Sequence, residues 1–365
     1  MMIWRRGVVT EVSQPWAGVQ ELTVALVDPG DGDPTNVRAL SYTEMTGLGD
    51  VGDVVILTTA ALHRELGTGG YAFVVAFPDR LPADPPPAPG HIVKARYTPL
   101  QTLRLGVDEE ESDHHQVLKD ADDLAGFPVI TADLHSALPA IIAGVRNVRP
   151  SAKIAYVMTD GGALPFQFSR SAAELREAGW VHRSITVGQA YGGDYEAVNV
   201  YTGLLAAAHV AGADLAIVAQ GPGNLGTGTR WGFSGTSTGE ALNATNVLGG
   251  VAVGSLRVSA SDARTRHYGI SHHSSTVYAR LTHEPITVVV PELAGEFGRL
   301  VSEQAGVFAD RHRIAREPVD GLVEALETAP VRLSTMGRSL AEDPTPFLAA
   351  AAAGRWVARE LLASA

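Results

Sequence analysis

The sequence predicts an α/β protein: a mainly parallel sheet with helices on both faces, preceded by a small N-terminal β-barrel of SH3-like or OB-like type. Apolar, strand-like segments alternate with helical segments from residue 128 onward, and this alternation is typical of a parallel sheet covered on both sides. Over residues 3–77, about five short apolar segments are separated by Gly- and Asp-rich turns, which indicates a small barrel.

A proline-rich stretch separates these two patterns and predicts the domain boundary. Prolines at 78, 82, 85–87 and 89 make residues 78–90 a stiff linker. We therefore expect a barrel at 1–77, an α/β domain at 91–332, and a C-terminal segment at 333–365. The helix of that last segment, which we expect to begin at Thr345-Pro346, would pack on the body or on a partner subunit.

Composition limits the classes of partner. The chain has 365 residues, with 28 basic and 40 acidic side chains, so its net charge is −12. This charge argues against nucleic acid and against an acidic membrane surface as partners. The absence of cysteine excludes disulfides and thiolate chemistry and suits a reducing compartment. Because no apolar signal-peptide core follows the first residues, we expect a cytoplasmic protein.

Four strand–loop–helix units build the central part of the predicted sheet. The first three have strands at 128–132, 153–158 and 184–187. Ser171 and Glu174 have the spacing of a capping box for the second helix, and apolar residues at 198, 201, 205 and 208 predict the buried face of the third. Further strands are expected at 251–258, 276–281 and 286–290, and helices at 292–305 and 320–328.

The fourth unit contains the longest glycine-rich loop of the chain, at 220–235. A buried strand precedes this loop, and Ser237 with Glu240 indicates a helix start after it. Glycines allow backbone N–H groups to approach a ligand, and a helix N-terminus favours an anion. We therefore predict an anion site, with Arg230 as the charged clamp. The predicted binding residues are Gly221, Gly223, Asn224, Gly226, Thr227, Gly228 and Arg230.

The spacing of Gly221, Gly223 and Gly226 matches the dinucleotide fingerprint, but the surroundings do not. The loop continues to Gly235 before the helix signal, and the acidic ribose ligand of such sites is missing. The Gly-Lys-Ser/Thr ending of a P-loop is also missing. The sequence therefore supports neither an NAD site nor a Walker-type nucleotide site, and it identifies no cofactor. The alternative is a glycine loop that only permits close packing of elements or subunits.

Polar side chains follow the other predicted strands and are candidates for chemistry. Asp133 and His135 flank Leu134, and Asp160 begins an Asp-Gly-Gly turn. Gln189 and Asp194 lie in the third loop and are predicted to bind ligand. Ligands of parallel sheets bind beyond the carboxyl ends of the strands, so His135 and Asp160 are predicted acid–base residues. Helix capping, core packing and ordinary turn chemistry are the alternatives.

A polar segment at 259–274 adds three histidines and two arginines. His267, His272 and His273 lie close in sequence to Arg264 and Arg266. If this segment folds over the carboxyl edge of the sheet, His272 or His273 is the best acid–base candidate. The His-Glu-x-x-His spacing of zinc enzymes is absent, so the sequence leaves metal binding open.

The remaining indication from the sequence lies in five stretches: Trp4–Val9, His91–Leu100, Val157–Pro165, the 220–235 loop and Ser271–Ser274. These stretches resemble a family of uncharacterised bacterial proteins classed as a domain of unknown function. The resemblance covers nearly the whole chain. It implies cytoplasmic bacterial proteins of this length, but no activity, cofactor or catalytic residue.

The residues favour an enzyme that acts on a small anionic metabolite, phosphorylated or not. In this hypothesis the 220–235 loop binds the anion, and Asp160 with a histidine supplies acid–base chemistry. The alternatives are a non-catalytic metabolite sensor that signals through the barrel, and an oligomeric scaffold whose glycine loop is a subunit interface. A homo-oligomer is compatible with all three.

Overall fold

The computed structural model describes residues 2–64, 66 and 69–362. They form two compact units. One contains the residues up to Pro89 together with Ala95–Thr102, and the other contains Gly90–Lys94 and the chain from Leu103 onward. No helix among the described residues is long and apolar enough to cross a membrane.

The first unit contains the predicted barrel. Its five strands close in the order β1-β2-β3-β5-β4, and β3 pairs with β5 in parallel while the other pairs are antiparallel. This order, with a short helix between β3 and β4, is that of an OB-type barrel and decides between the two predicted types. The elements are β1 (Trp4–Val12), β2 (Val19–Leu26), β3 (Asn36–Tyr42), α1 (Thr43–Thr46), β4 (Val54–Thr58), α2 (Ala60–His63) and β5 (Ala72–Ala76).

The second unit is built on an eight-stranded sheet in which every strand pair is parallel, which confirms the predicted fold class. In chain order, the elements that begin this part of the chain are β6 (Ile92–Lys94), β7 (Thr102–Arg104), α3 (His115–Leu118), β8 (Pro128–Thr131), α4 (Leu138–Val148), β9 (Ile154–Thr159), α5 (Arg170–Glu177), β10 (Arg183–Thr186), β11 (Tyr195–Glu196), α6 (Val200–His209), β12 (Leu215–Gln220) and α7 (Ser237–Val247). The elements that follow are β13 (Val251–Ser255), β14 (Val258–Ser259), β15 (Gly269–Ile270), α8 (His272–Thr276), β16 (Thr287–Glu292), α9 (Gly295–Ala305), β17 (Arg313–Pro318), α10 (Leu322–Glu327), β18 (Ser334–Thr335), β19 (Arg338–Ser339) and α11 (Thr345–Glu360).

The strand order contains a reversal at the centre of the sheet. From one edge to the other it reads β11-β10-β9-β12-β8-β13-β16-β17. From β8 the chain continues to β9, toward the edge formed by β11. From β13, which lies next to β8, it continues to β16, toward the opposite edge. Helices α4, α5, α10 and α11 cover one face, and α3, α6, α7 and α9 cover the other.

The C-terminal helix α11 packs against α4 at unusually close range. A Cβ on Gly144 would overlap the carbonyl oxygen of Ala351, and a Cβ on Gly354 would overlap that of Ile141. The alanines of α11 are buried along the same contact. Small residues at matching positions thus let the two backbones touch, and α11 is part of the core of this unit.

The predicted strand at 276–281 is wrong. Helix α8 continues there into a turn of π-helix, Val277–Leu281. The β-branched and aromatic residues that suggested a strand are used for packing: Tyr278 lies against Gly254 and donates a hydrogen bond of 2.7 Å to the carbonyl oxygen of Ser255. Tertiary packing therefore overrides a weak local preference.

Two details of the predicted helices are also wrong. The cap of α5 is Ser169, whose side chain accepts a hydrogen bond from Ala172 N, and not Ser171. On α6, Val198 and Tyr201 were predicted to be buried but are 55% and 38% exposed. Leu205 is buried as predicted, and the buried face also contains Val200, Leu204 and Ala207, because Asn199 caps the helix and leaves Val198 outside it.

We predict that Gly354→Ala lowers stability by about 1–3 kcal/mol, because the added methyl group must separate α11 from α4. Urea unfolding followed by circular dichroism measures the change. Gly306→Ala is the matched control, since a Cβ at Gly306 meets no atom within 4 Å. Equal stability of the two variants would contradict the close contact.

Candidate functional site

The reversal of strand order creates a crevice at the carboxyl ends of β8 and β13. Adjacent strands whose connections run in opposite directions leave room for a ligand there. Asp133 follows β8 and Arg257 follows β13. Both side chains are more than nine-tenths buried, and Arg257 Nη1 lies 3.4 Å from Asp133 Oδ2.

His273 completes a buried three-residue contact with these side chains. Its Nδ1 is 3.0 Å from Asp133 Oδ2 and 3.1 Å from Arg257 Nη1. Phe233 stacks on its ring at a centroid distance of 3.9 Å. Burial alone would raise the pKa of the Asp133 carboxyl, but the charge of Arg257 and the hydrogen bond from His273 hold that pKa below its ordinary value. Asp133 is therefore a carboxylate at neutral pH.

Ser271 positions two histidines at once. As the N-cap of α8 its hydroxyl accepts a hydrogen bond from His273 N, and the same oxygen is 2.8 Å from His267 Nδ1. The three rings of His267, His272 and His273 lie together, with centroids 4.4–5.1 Å apart. One ring nitrogen from each lies within 4.8 Å of those of the other two.

These histidines and the glycine loop line a cavity of about 130 Å³. Arg264 lines the cavity too and is paired with Asp262 at 2.7 Å. For Arg266, which lies near Gly228, the described residues provide no carboxylate partner. The lining consists of Asn224, Leu225, Gly226, Gly228, Arg257, Arg264, Arg266, His267, His272, His273 and Met336.

Burial and positive neighbours keep two of the histidines neutral. Burial lowers the pKa of His267 to about 3, with contributions from Arg257 and Arg264. Burial lowers the pKa of His272 to about 4, with contributions from His273 and Arg266. At neutral pH both rings are therefore neutral, and each keeps a nitrogen lone pair that can bind a metal ion.

The structure brings some of the predicted ligand residues to this cavity and leaves others outside its lining. Asn224, Gly226, Gly228, His272 and His273 line it. The predicted residues of the glycine loop that are outside the lining are Gly221, Gly223, Thr227 and Arg230. Of these, Arg230 is exposed, and Thr227 bonds within the loop to Thr229.

Gly221 has a packing role. A Cβ there would overlap the carbonyl oxygen of Ala163, and a Cβ on Gly162 would overlap that of Gly221. At this end of the loop the glycines allow two strand-end loops to touch, which is the alternative considered from the sequence.

The other predicted site residues are engaged in bonds within the fold. His135 lies 2.6 Å from Ser169 Oγ and 3.0 Å from the Tyr156 hydroxyl. The Asp160 carboxylate accepts a hydrogen bond of 2.8 Å from Gln189 N.

The carboxylate of Asp194 ties the loop after β10 to its strand. It accepts hydrogen bonds from Ser184 N and Oγ and pairs with Arg176. Asp194, Gln189, Asp160 and His135 are all outside the lining of the cavity.

Sequence reasoning missed Arg257, Phe233 as the partner of the His273 ring, and Met336. The sequence predicts a strand over 251–258, which contains Arg257, whereas β13 ends at Ser255 and Arg257 comes two residues after it. With the strand end correctly placed, the rule that selected Asp160 would have found Arg257. The stacking of Phe233 and the approach of Met336 depend on tertiary contacts and leave no signal in the sequence.

A family model described as "Protein of unknown function (DUF3866)" matches residues 38–354. The chain belongs to this family. The match confirms the resemblance to a domain of unknown function seen in the sequence. No curated protein and no solved structure matches the chain.

Burial of His135 predicts a loss of stability in acid. Burial lowers its pKa to about 4 from the ordinary value of 6.5, so between these values the unfolded chain binds more protons. Stability is therefore full above pH 6.5 and declines as the pH falls toward 4. The slope of the free energy of unfolding against pH gives the number of protons taken up on unfolding. We expect His135→Gln to reduce this number by up to about one between pH 4 and 6.5, measured by urea unfolding at several pH values.

Tyr156→Phe is the control for this prediction, because it removes a hydrogen bond to the His135 ring and keeps the ring itself. We expect this variant to retain the wild-type decline. If His135→Gln also retained it, burial of His135 would not be a source of the acid sensitivity.

Proposed function

We propose that the protein is an enzyme that acts on a small anionic metabolite bound in the cavity between the glycine loop and residues 257–273. The observation that supports this is the convergence of Arg257, Arg264 and Arg266 on one cavity of about 130 Å³. The chain as a whole has a net charge of −12, so this concentration of guanidinium groups stands out against the overall acidic charge. Such groups match phosphate and carboxylate geometry.

Arg266 is the proposed anchor for the anion. The charges of Arg257 and Arg264 are balanced by Asp133 and Asp262, whereas Arg266 is exposed and has no such partner among the described residues. Gly228, with a φ of +80°, lies beside the Arg266 guanidinium and keeps that side of the cavity open.

Asp133 and His273 are the proposed acid–base pair. A carboxylate bonded to one ring nitrogen fixes the tautomer of a histidine and stabilises its protonated form. With Nδ1 directed to Asp133, the Nε2 of His273 is left to accept a proton from a bound molecule. This pair takes the role that the sequence suggested for Asp160 and His135.

The size and rim of the cavity favour a small substrate. Leu225 and Met336 line it and are exposed, so they offer apolar contact to a short carbon skeleton. The cavity accommodates a phosphate or carboxylate group with a few further atoms.

We predict that Arg266→Gln weakens anion binding about 10- to 100-fold, because charged hydrogen bonds contribute about 1.5–3 kcal/mol each. A thermal-shift series with phosphate, pyrophosphate, sugar phosphates and dicarboxylates, run with a chelator present, measures binding. Arg230→Gln is the matched control, as an exposed arginine of the glycine loop outside the cavity lining. Loss of binding in Arg230→Gln but not in Arg266→Gln would contradict this placement.

Turnover separates an enzyme from a sensor. We expect the protein to convert a ligand found in this screen. Asp133→Asn should slow the conversion by at least about 100-fold, because general acid–base catalysis contributes a rate factor of about that size or more. Product formation is followed by mass spectrometry. Tight binding without any product would favour the sensor instead.

A further inference from the structure

We propose that His267, His272 and His273 form a binding site for one divalent transition-metal ion of the Zn²⁺ class. Two of the three side chains are buried and the third is partly buried. A tetrahedral ion bound by three imidazoles at about 2.1 Å would place the ring centroids roughly 5 Å apart. The observed centroid distances of 4.9, 5.1 and 4.4 Å are close to this value, and one nitrogen of each ring lies within 4.8 Å of those of the other two. Side-chain rotations that bring these nitrogens to about 3.4 Å from one another would form the site.

Two of the histidines contact oxygen atoms of the kind that orient histidine ligands in metal sites. The imidazoles of metal sites almost always direct their other nitrogen to a carboxylate, a carbonyl or another oxygen, which fixes ring orientation. His273 Nδ1 is 3.0 Å from the Asp133 carboxylate, and His267 Nδ1 is 2.8 Å from the Ser271 hydroxyl. Both rings are therefore held so that Nε2 is the nitrogen left for a ligand.

The local charges allow a cation despite the nearby arginines. Arg257 is paired with Asp133, and Arg264 is paired with Asp262 through two contacts of 2.7 and 2.9 Å. Two carboxylates thus balance two of the guanidinium groups. The remaining one, Arg266, is solvent-exposed, where water screens its repulsion.

The ligand set indicates the class of ion and an open coordination position. Three imidazoles suit Zn²⁺, Co²⁺, Ni²⁺ or Cu²⁺ rather than Mg²⁺ or Ca²⁺, which prefer oxygen. Three protein ligands leave a position for water or for an anion, and the three histidines line the cavity that contains the arginines. The proposal depends on the histidines alone and does not rest on the proposed function; when the ion is bound, His273 Nε2 is a ligand, and the acid–base role proposed for that nitrogen belongs to the metal-free protein.

Titration of the full chain with Co²⁺, in a phosphate-free and non-coordinating buffer, tests the site. We expect one ion per chain, with the visible absorption of four-coordinate cobalt, and displacement of that absorption by Zn²⁺. His272→Ala and His267→Ala should abolish the absorption. Asp133→Asn, which keeps all three histidines, should weaken binding about 10- to 100-fold, as loss of an orienting carboxylate does.

His135→Ala is the matched control, because His135 is bonded to Ser169 and Tyr156 and does not line the cavity. It should bind Co²⁺ as the wild type does. Circular dichroism verifies that each variant is folded, and His267→Gln or His272→Gln replaces the corresponding alanine variant where that variant is unfolded. Absence of the Co²⁺ absorption in the wild type, or its persistence when His267 and His272 are both replaced, would overturn the proposal. Because the anion screen uses a chelator, failure of either proposal can be recognised separately.

Discussion

The contact among Asp133, Arg257 and His273 is the interaction on which the candidate site depends. It joins the ends of two adjacent strands, β8 and β13, to the start of α8. A carboxylate buried this deeply is tolerated only with charged or hydrogen-bonding partners, and here Arg257 and His273 provide them. Gln220 at the end of β12 adds a third support, since its Nε2 donates a hydrogen bond of 2.8 Å to the Asp133 carbonyl oxygen. Residues at the ends of three neighbouring strands therefore fix the backbone and the carboxylate of Asp133, and that carboxylate orients one histidine.

The sheet and barrel could be predicted from the sequence because they follow from local patterns. Apolar runs between turn residues are sufficient to locate β8, β9, β10 and β12. The failures at 276–281 and on α6 have a different origin. Val277 and Tyr278 are used by a π-helical turn packed over Gly254, and no periodicity within the segment reports that contact. On α6, the capping residue Asn199 sets the start of the helix, so Val198 lies outside it, and Val200 and Leu204 join Leu205 on the buried face.

The candidate site could be predicted only in part, because the rule that strand-end loops carry ligands does not say which loops meet. Asp160 and Asp133 both follow sheet strands, and in sequence terms Asp160 was the stronger candidate. The strand order distinguishes the two aspartates. Asp133 follows β8, which flanks the reversal together with β13, whereas Asp160 follows β9, which does not. Asp160 therefore stabilises the backbone at Gln189, and Asp133 faces the histidines. Strand order depends on long-range pairing, which a single sequence does not reveal.

The glycine-rich loop has two roles along its length, and this division explains why its sequence was ambiguous. At its start, Gly221 and Gly162 allow neighbouring loops to touch, which is a packing role. Further along, Gly226 and Gly228 line the cavity beside Arg266, where the absence of a side chain leaves space for a ligand. Phe233, at the end of the loop, stacks on the ring of His273. The loop thus connects the packed centre of the sheet to the histidine cluster, and the cavity that Gly228 lines also contains His273, the histidine that the Asp133 carboxylate orients.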